Sequence, residues 1–305
     1  MSTRNMPNRA WAELALLSLI WGGSFLAVRV ALDEIPFVTS VAFRVGLAAA
    51  ALWALVLARG LPVPRQPRIW AALLVMGGLN NVIPFSLMAW GQLHIESGLT
   101  SILNAGTAVF GVLAAAIFLS DERLTTRRAM GVSLGFLGVA TAIGLENLAA
   151  FDLRSAAQLA VVAGTMGYAL AGVWARVFLP GLPPAVSAAG MLTGSSLMMI
   201  PAALLIDGPV WPSQTDTWLA IGYYALIATA GAYLLYFRVL AMAGSGNTML
   251  CTLLVAPTAI VLGATFRGET LSSGVYLGFA ILALGLLILD GRLLRRAGRG
   301  ATPAP

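Results

Sequence analysis

The residues that most often carry catalysis are scarce and scattered in this chain. The only histidine, His94, falls between two apolar runs, and the only cysteine, Cys251, lies inside another. No HExxH, no GxSxG and no pair of aspartates within an apolar run occurs, which argues against an intramembrane metalloprotease or hydrolase. "GSGNT" (244–248) has the glycines of a phosphate loop, but no strand precedes it and no lysine follows, so it reads as a turn. A single cysteine allows no disulfide framework, and a buried inert thiol is expected. The chain is therefore predicted not to be an enzyme, and no cofactor or metal is expected.

The remaining chemistry is recognition. Arg44 stands about nine residues into an apolar run, too deep for easy snorkelling, where an isolated charge costs at least ~2.5–3.5 kcal/mol. It needs a wet cavity, carbonyls or an anion. A guanidinium there suits a clamp for a substrate carboxylate and suits a tether between helices equally well. Trp21, in "LIWGGSF" (19–25), is the one tryptophan at the centre of a run; the others stand near run ends or in a loop, as an aromatic belt predicts. At the same depth come Tyr168, Asn80, Asn81, Asn104 and Thr107, then Tyr224 and Thr229. Pro84 and Gly231 are placed to loosen two of these runs. Such groups can bond between helices at about 0.6 kcal/mol apiece. Their gathering at one depth in both parts of the chain favours a substrate cavity. Every carboxylate falls in a loop or at a run end, so the deep acid that proton-driven pumps commonly use is missing. Either coupling is carried elsewhere or substrates run down their own gradient.

The elements that must position these residues are helices in a membrane. Of 305 residues, 59% are hydrophobic and 10% charged, against about 25% charged in soluble domains. Ten runs are long enough, or nearly so, to span a bilayer: 11–31, 36–58, 69–91, 97–119, 129–146, 155–178, 185–206, 216–240, 246–266 and 274–290. The first is too long for a signal-peptide core and reads as an uncleaved span. The net charge of +6 comes entirely from dispersed arginines, with no lysine and no basic face, so nucleic acid is not an expected partner. With ten spans the loop arginines gather on the side of the termini, and most acids on the other. The positive-inside rule then puts both termini in the cytoplasm of a multi-pass inner-membrane protein.

An offset of 147 residues superposes 14–144 on 161–291 without a gap, matching Arg29 with Arg176, Pro36 with Pro183 and Glu122 with Glu269. Trp21 then pairs with Tyr168, and Pro84 with Gly231. Five spans per half, an odd number, require the second half to be inserted upside down. The fold class is all-α: one transmembrane domain of two inverted five-helix repeats, 1–146 and 154–291, with a cytoplasmic tail at 292–305. The offset also suggests two symmetry-related ion pairs, Arg29–Glu269 and Arg176–Glu122, one at each mouth; separate solvation of each charge is the alternative. "GVSLG" (131–135) and "GVYLG" (274–278) supply GxxxG steps for close helix packing.

"LIWGGSFLAVRVAL" resembles the opening helix of EamA-type members of the drug/metabolite transporter superfamily, and "FRVGLAAAALW" (43–53) their second. The stretch "LMAWGQLHIESGLTSIL…FLSDERLTTRRAMGVSLGFLGVATAIG" is similar to their third to fifth helices, and "LLYFRVLAMAGSGNTMLCTLLVAPTAIVLGATFRGETLSSGVYLGFAILALGLLILDG" repeats it. The resemblance covers nearly the whole chain. It implies a ten-helix exporter of small metabolites, with spans 1–4 and 6–9 around a central cavity and spans 5 and 10 outside. It extends to bacterial YddG-type exporters of amino acids, especially aromatic and other neutral ones. Pro257 departs from the repeat, since Phe110 stands at its mate's position, and Arg29 replaces the lysine common near the end of the first helix. The expected function is secondary transport by alternating access, working as a monomer in the lipid bilayer on a small-molecule substrate. Trp21 and Tyr168 would wall the site, the asparagines would supply hydrogen bonds, and Arg44 would attract the carboxylate. The alternatives are efflux of drugs or other metabolites, or a scaffold or receptor without flux.

Overall fold

A computed structural model of the chain describes residues 8–120, 124–144, 152–243 and 250–290. Ten helical segments run through them. The first half holds α1 (Asn8–Ala31), α2 (Phe37–Ala58), α3 (Pro67–Gly91), α4 (Ser97–Phe118) and α5 (Thr126–Ile143). The second holds α6 (Leu153–Phe178), α7 (Pro184–Ile206), α8 (215–243), α9 (Leu250–Arg267) and α10 (Ser273–Asp290). Seven of these helices are long and apolar enough by themselves to cross a membrane, and α9 and α10 each contain a shorter apolar helix. Lipid cannot hydrogen-bond backbone groups, so each run must close its own helical ladder, and its apolar length fixes its extent. The outer surface bears exposed Leu57, Ile117, Leu205 and Val261, as a lipid-facing wall requires.

The halves interlock. α1 lies against α8 and α9 of the other half, with Leu14, Leu17 and Phe25 buried among Ala232, Val239, Val255 and Ala259. In the symmetry-related place, α6 lies against α3 and α4, and its Ala157 and Val161 join Met88, Leu99 and Leu103. α2 and α7 pack on each other, as do α5 and α10. The last pair meets through glycines. A Cβ on Gly138 would stand 2.7 Å from the Leu282 Cα, one on Gly278 2.7 Å from the Ala142 Cα, and one on Gly285 2.8 Å from the Gly131 carbonyl. Small residues let backbones touch, and that contact replaces the hydrophobic drive that lipid does not supply.

Two helices are irregular at matching points. α3 passes through a π-helical stretch, Gly78–Val82, and α8 through a longer one, Tyr223–Gly231. Under the 147-residue offset the first maps onto 225–229, inside the second. Pro84 has no N–H for the ladder, and in α8 the Ala232 N–H reaches back five residues to the Ile227 carbonyl. Such bulges often mark functional sites, and both here border the interior between the halves.

Candidate functional site

A cavity of about 940 Å³ lies between the halves. It extends to Leu119, Arg127, Arg128 and Arg176, at the end of the molecule where α1 begins. At its deep end Arg44 comes from α2. Its Nε donates to Thr229 Oγ1 (3.0 Å), and that hydroxyl donates to the Tyr224 carbonyl five residues back in the π stretch (2.7 Å). The guanidinium carbon stands 3.8 Å from the centre of the Phe85 ring and 5.9 Å from that of Tyr224. Aromatic faces attract a desolvated cation. Among the described residues no carboxylate pairs with Arg44.

Trp21 forms part of the wall, and its Nε1 donates to the Ala228 carbonyl within the second π stretch (3.2 Å). The depth and ring of Trp21 thus serve a helix whose ladder is locally loosened. Gly23 makes room beside it for the Tyr223 hydroxyl, which donates to the Ile20 carbonyl (3.0 Å). The Trp21 ring lies 5.8 Å from that of Tyr236, and Tyr168 meets the edge of Phe85 at 6.5 Å. Trp21 and Tyr168 therefore wall one cavity through different neighbours. Asn80, Asn104, Thr107 and Thr229 also border it. Asn104 and Thr107 flank the break in α4 at Gly106, where Thr107 Oγ1 donates to the Asn104 carbonyl (2.7 Å).

Three of the expected site residues are not on the wall. Asn81 is fully buried: its Nδ2 donates to Ser195 Oγ (2.8 Å) and its Oδ1 accepts from the Tyr233 hydroxyl (3.1 Å). Ser195 in turn donates to the Gly77 and Met191 carbonyls, so this network ties α3, α7 and α8 together. Tyr224 is buried with its hydroxyl on Ser40 (3.0 Å), and Pro84 packs against Gly164 and Gly167 of α6. The wall also holds residues that the sequence did not single out: Tyr233, Tyr236, Phe85, Ser40 and Gln92. Tyr233 and Tyr236 are one helical turn apart on α8, but their offset mates are Ser86 and Ala89, so repeat symmetry gave no sign of them.

The expected Arg29–Glu269 pair does not form. Arg29 donates to Asp33 (3.0 Å), one turn on, and Asp33 also pairs with Arg267 of the other half. Glu269 instead accepts from the Ser97 amide (3.1 Å), the Ser97 hydroxyl (2.8 Å) and the Gly98 amide (3.2 Å). The open amides at the start of a helix attract a carboxylate more directionally than a mobile guanidinium does. Gly268, at φ +64°, ends α9 so that Glu269 turns back to reach them. In the second expected pair, Glu122 lies outside the described residues.

These ties belong to a closed face opposite the cavity mouth. Glu96 grips Arg154 with two bonds (3.2 and 2.8 Å), and Asp207 accepts from the Thr39 amide (2.9 Å) and hydroxyl (2.7 Å). Glu34 accepts from the Ser213 hydroxyl (2.7 Å) and the Gln214 amide (3.2 Å). Each joins one half to the other. The hydroxyls of Ser213 and Thr217 and the amides near them pull the Glu34 carboxyl down to about 2 from 4.5. The folded value is depressed, so this tie is fully present above about 4.5 and weakens as pH falls through about 2. Amide protection at Ser213 and Gln214 is therefore expected to stay level from pH 7 to 5. A loss of protection within that range would contradict the assignment.

The EamA-like transporter family matches this chain twice, over residues 10–144 and 155–289. A probable terminal-alkyne amino-acid exporter of Streptantibioticus cattleyicolor is 27% identical over 98% of both chains. A probable amino-acid metabolite efflux pump of Salmonella typhimurium is 24% identical, covering 93% of this chain and 96% of its own. The uncharacterized inner membrane transporter YedA of Escherichia coli is 22% identical over 92% and 90%. One protein of known crystal structure shares the fold at a TM-score of 0.67 and 20% identity, covering 94% of this chain and 99% of that one.

Proposed function

The chain belongs to the EamA-like transporter family, and from that premise we propose that it exports amino acids, above all aromatic and other neutral ones, by alternating access. Transporter membership is shown by the match of both halves; it is a multi-pass membrane protein and not an enzyme. The observation that carries the substrate reading is Arg44: a guanidinium deep in a membrane cavity, held by one threonine and an aromatic face, with no carboxylate partner among the described residues. It is suited to the α-carboxylate, and Trp21, Tyr168, Tyr236 and Phe85 offer ring surface to an apolar side chain. The names of two relatives, an amino-acid exporter and an amino-acid metabolite efflux pump, point the same way. YddG-type exporters are the kind of carrier this reading describes.

With the termini in the cytoplasm of the inner membrane, as the arginine distribution favours, the cavity opens inward and the acid-tied face is the outer gate. The units in this reading are the repeats 1–146 and 154–291, with the tail 292–305 beyond them, in a chain that acts as a monomer. A scaffold would have no use for a polar cavity at mid-membrane.

Counterflow of a panel of labelled amino acids in proteoliposomes, with and without a pH gradient, tests this. Aromatic and aliphatic neutral amino acids are expected to enter, at a rate the gradient leaves unchanged, because no carboxylate among the described residues lines the cavity. Trp21→Ala is expected to raise KM by ~2–5-fold, the equivalent of a ring-packing contribution of ~0.5–1 kcal/mol, with Trp21→Phe recovering most of it. No flux of any amino acid would remove the proposal, and an unchanged KM in Trp21→Ala would remove the tryptophan from the site.

A further inference from the structure

The charged side chains that line the cavity among the described residues are all of one sign: Arg44 at depth and Arg127, Arg128 and Arg176 toward the mouth. Resting on the reading of Arg44 as the carboxylate anchor, we infer that the site recognises the carboxylate and apolar body of its substrate and leaves the ammonium group unrecognised. Monocarboxylates without a free amine are then substrates, and amines without a carboxylate are not.

A buried cation is satisfied by an opposite charge or by several converging acceptors. Arg44 supplies the positive partner for a carboxylate, and its two terminal nitrogens bond no described residue. Nothing equivalent exists for an ammonium, since no aspartate or glutamate among the described residues lines the cavity. For an ammonium the described wall offers neutral oxygens only, several of them on hydroxyls that already bond within the protein. Thr229 bonds Arg44 and Tyr224, Ser24 bonds the Trp21 carbonyl (2.7 Å), and Thr107 the Asn104 carbonyl. Tyr233 accepts from Asn80 (3.0 Å) and donates to Asn81. A second positive group would keep its water and feel the repulsion of Arg44. Apolar Val112, Ala115, Val173, Val255 and Leu286 line the way toward the mouth, where the charged side chains are again arginines, Arg127, Arg128 and Arg176. This suits an uncharged tail behind a carboxylate head.

Four labelled probes of one shape decide the matter in proteoliposomes: phenylalanine, N-acetylphenylalanine, phenyllactate and phenethylamine. The two acids without a free amine are expected to enter at no less than about a third of the phenylalanine rate, and the amine at least ~30-fold more slowly, as unpaired charge demands. Asn104→Asp, which puts a carboxylate on the wall with little change of shape, is expected to admit the amine and slow phenyllactate by ~10-fold. If phenylalanine enters while both acids are refused, the ammonium is recognised; this inference falls and the amino-acid reading stands. If the wild type carries the amine, the inference falls as well. If no probe enters, the amino-acid reading falls with it.

Discussion

Arg44→Gln is expected to reduce transport by ~10–100-fold while leaving the folded protein as stable as before, or more stable. A hydrogen bond to a charged group contributes about 1.5–3 kcal/mol, which sets the fold-change if Arg44 holds the substrate carboxylate. Stability moves the other way, because a guanidinium at this depth costs several kcal/mol to bury. One threonine hydroxyl and the Phe85 ring offset only part of that cost. Arg44→Lys keeps the charge but not the planar fork, so an intermediate loss is expected. Initial rates in proteoliposomes and thermal unfolding in detergent read the two effects separately. A tether between α2 and α8 would give the reverse pattern, with stability lost first. That result would move Arg44 from the site to the scaffold.

The second large effect is expected far from the cavity. Gly138→Val or Gly278→Val should destabilise the protein by about 1–3 kcal/mol or more, since the added side chain meets backbone that no rotamer change can move aside. A Cβ on Gly138 would meet the Leu282 backbone and stand 2.8 Å from the Gly278 carbonyl, and one on Gly278 would meet the Ala142 backbone. The two sites oppose each other across the α5–α10 contact, and their mates under the repeat, Gly285 and Gly131, meet in the same contact. Gly222→Ala is the control: nothing lies within 4 Å of a Cβ there, and alanine is the better helix former. The yield of monodisperse protein and its melting temperature report the difference. Equal behaviour of Gly278→Val and Gly222→Ala would show that α5 and α10 separate in the working molecule.

The helices were legible in the sequence because the bilayer fixes their length. Most predicted ends agree with the structure within about three residues, as for 97–119 against Ser97–Phe118. The inverted plan followed from an odd number of spans in each half. The wall of the cavity was harder to read, for a local reason. Asn80 and Asn81 are neighbours, and one residue turns a side chain by about 100°, so only one of them borders the cavity while the other is buried. A π stretch also resets the phase for everything after it, so helical spacing could not identify Tyr233 and Tyr236. The pairing of Arg29 with Glu269 failed because charge and sidedness were considered without the amides at the start of α4, which have no sequence signature of their own.

The seat of α1 has a consequence for biosynthesis. The helix is made long before α8, yet the carbonyl that receives the Trp21 indole belongs to Ala228, 207 residues later in the chain. Until α8 and α9 have been made and inserted, α1 must wait with Ser18, Trp21 and Ser24 at mid-depth and its proper neighbours absent. α6 differs, since α3 and α4 precede it and its groove is already in place when it arrives. Two halves alike in plan are therefore unlike in assembly. The first is held open by its own opening helix, and the second closes it.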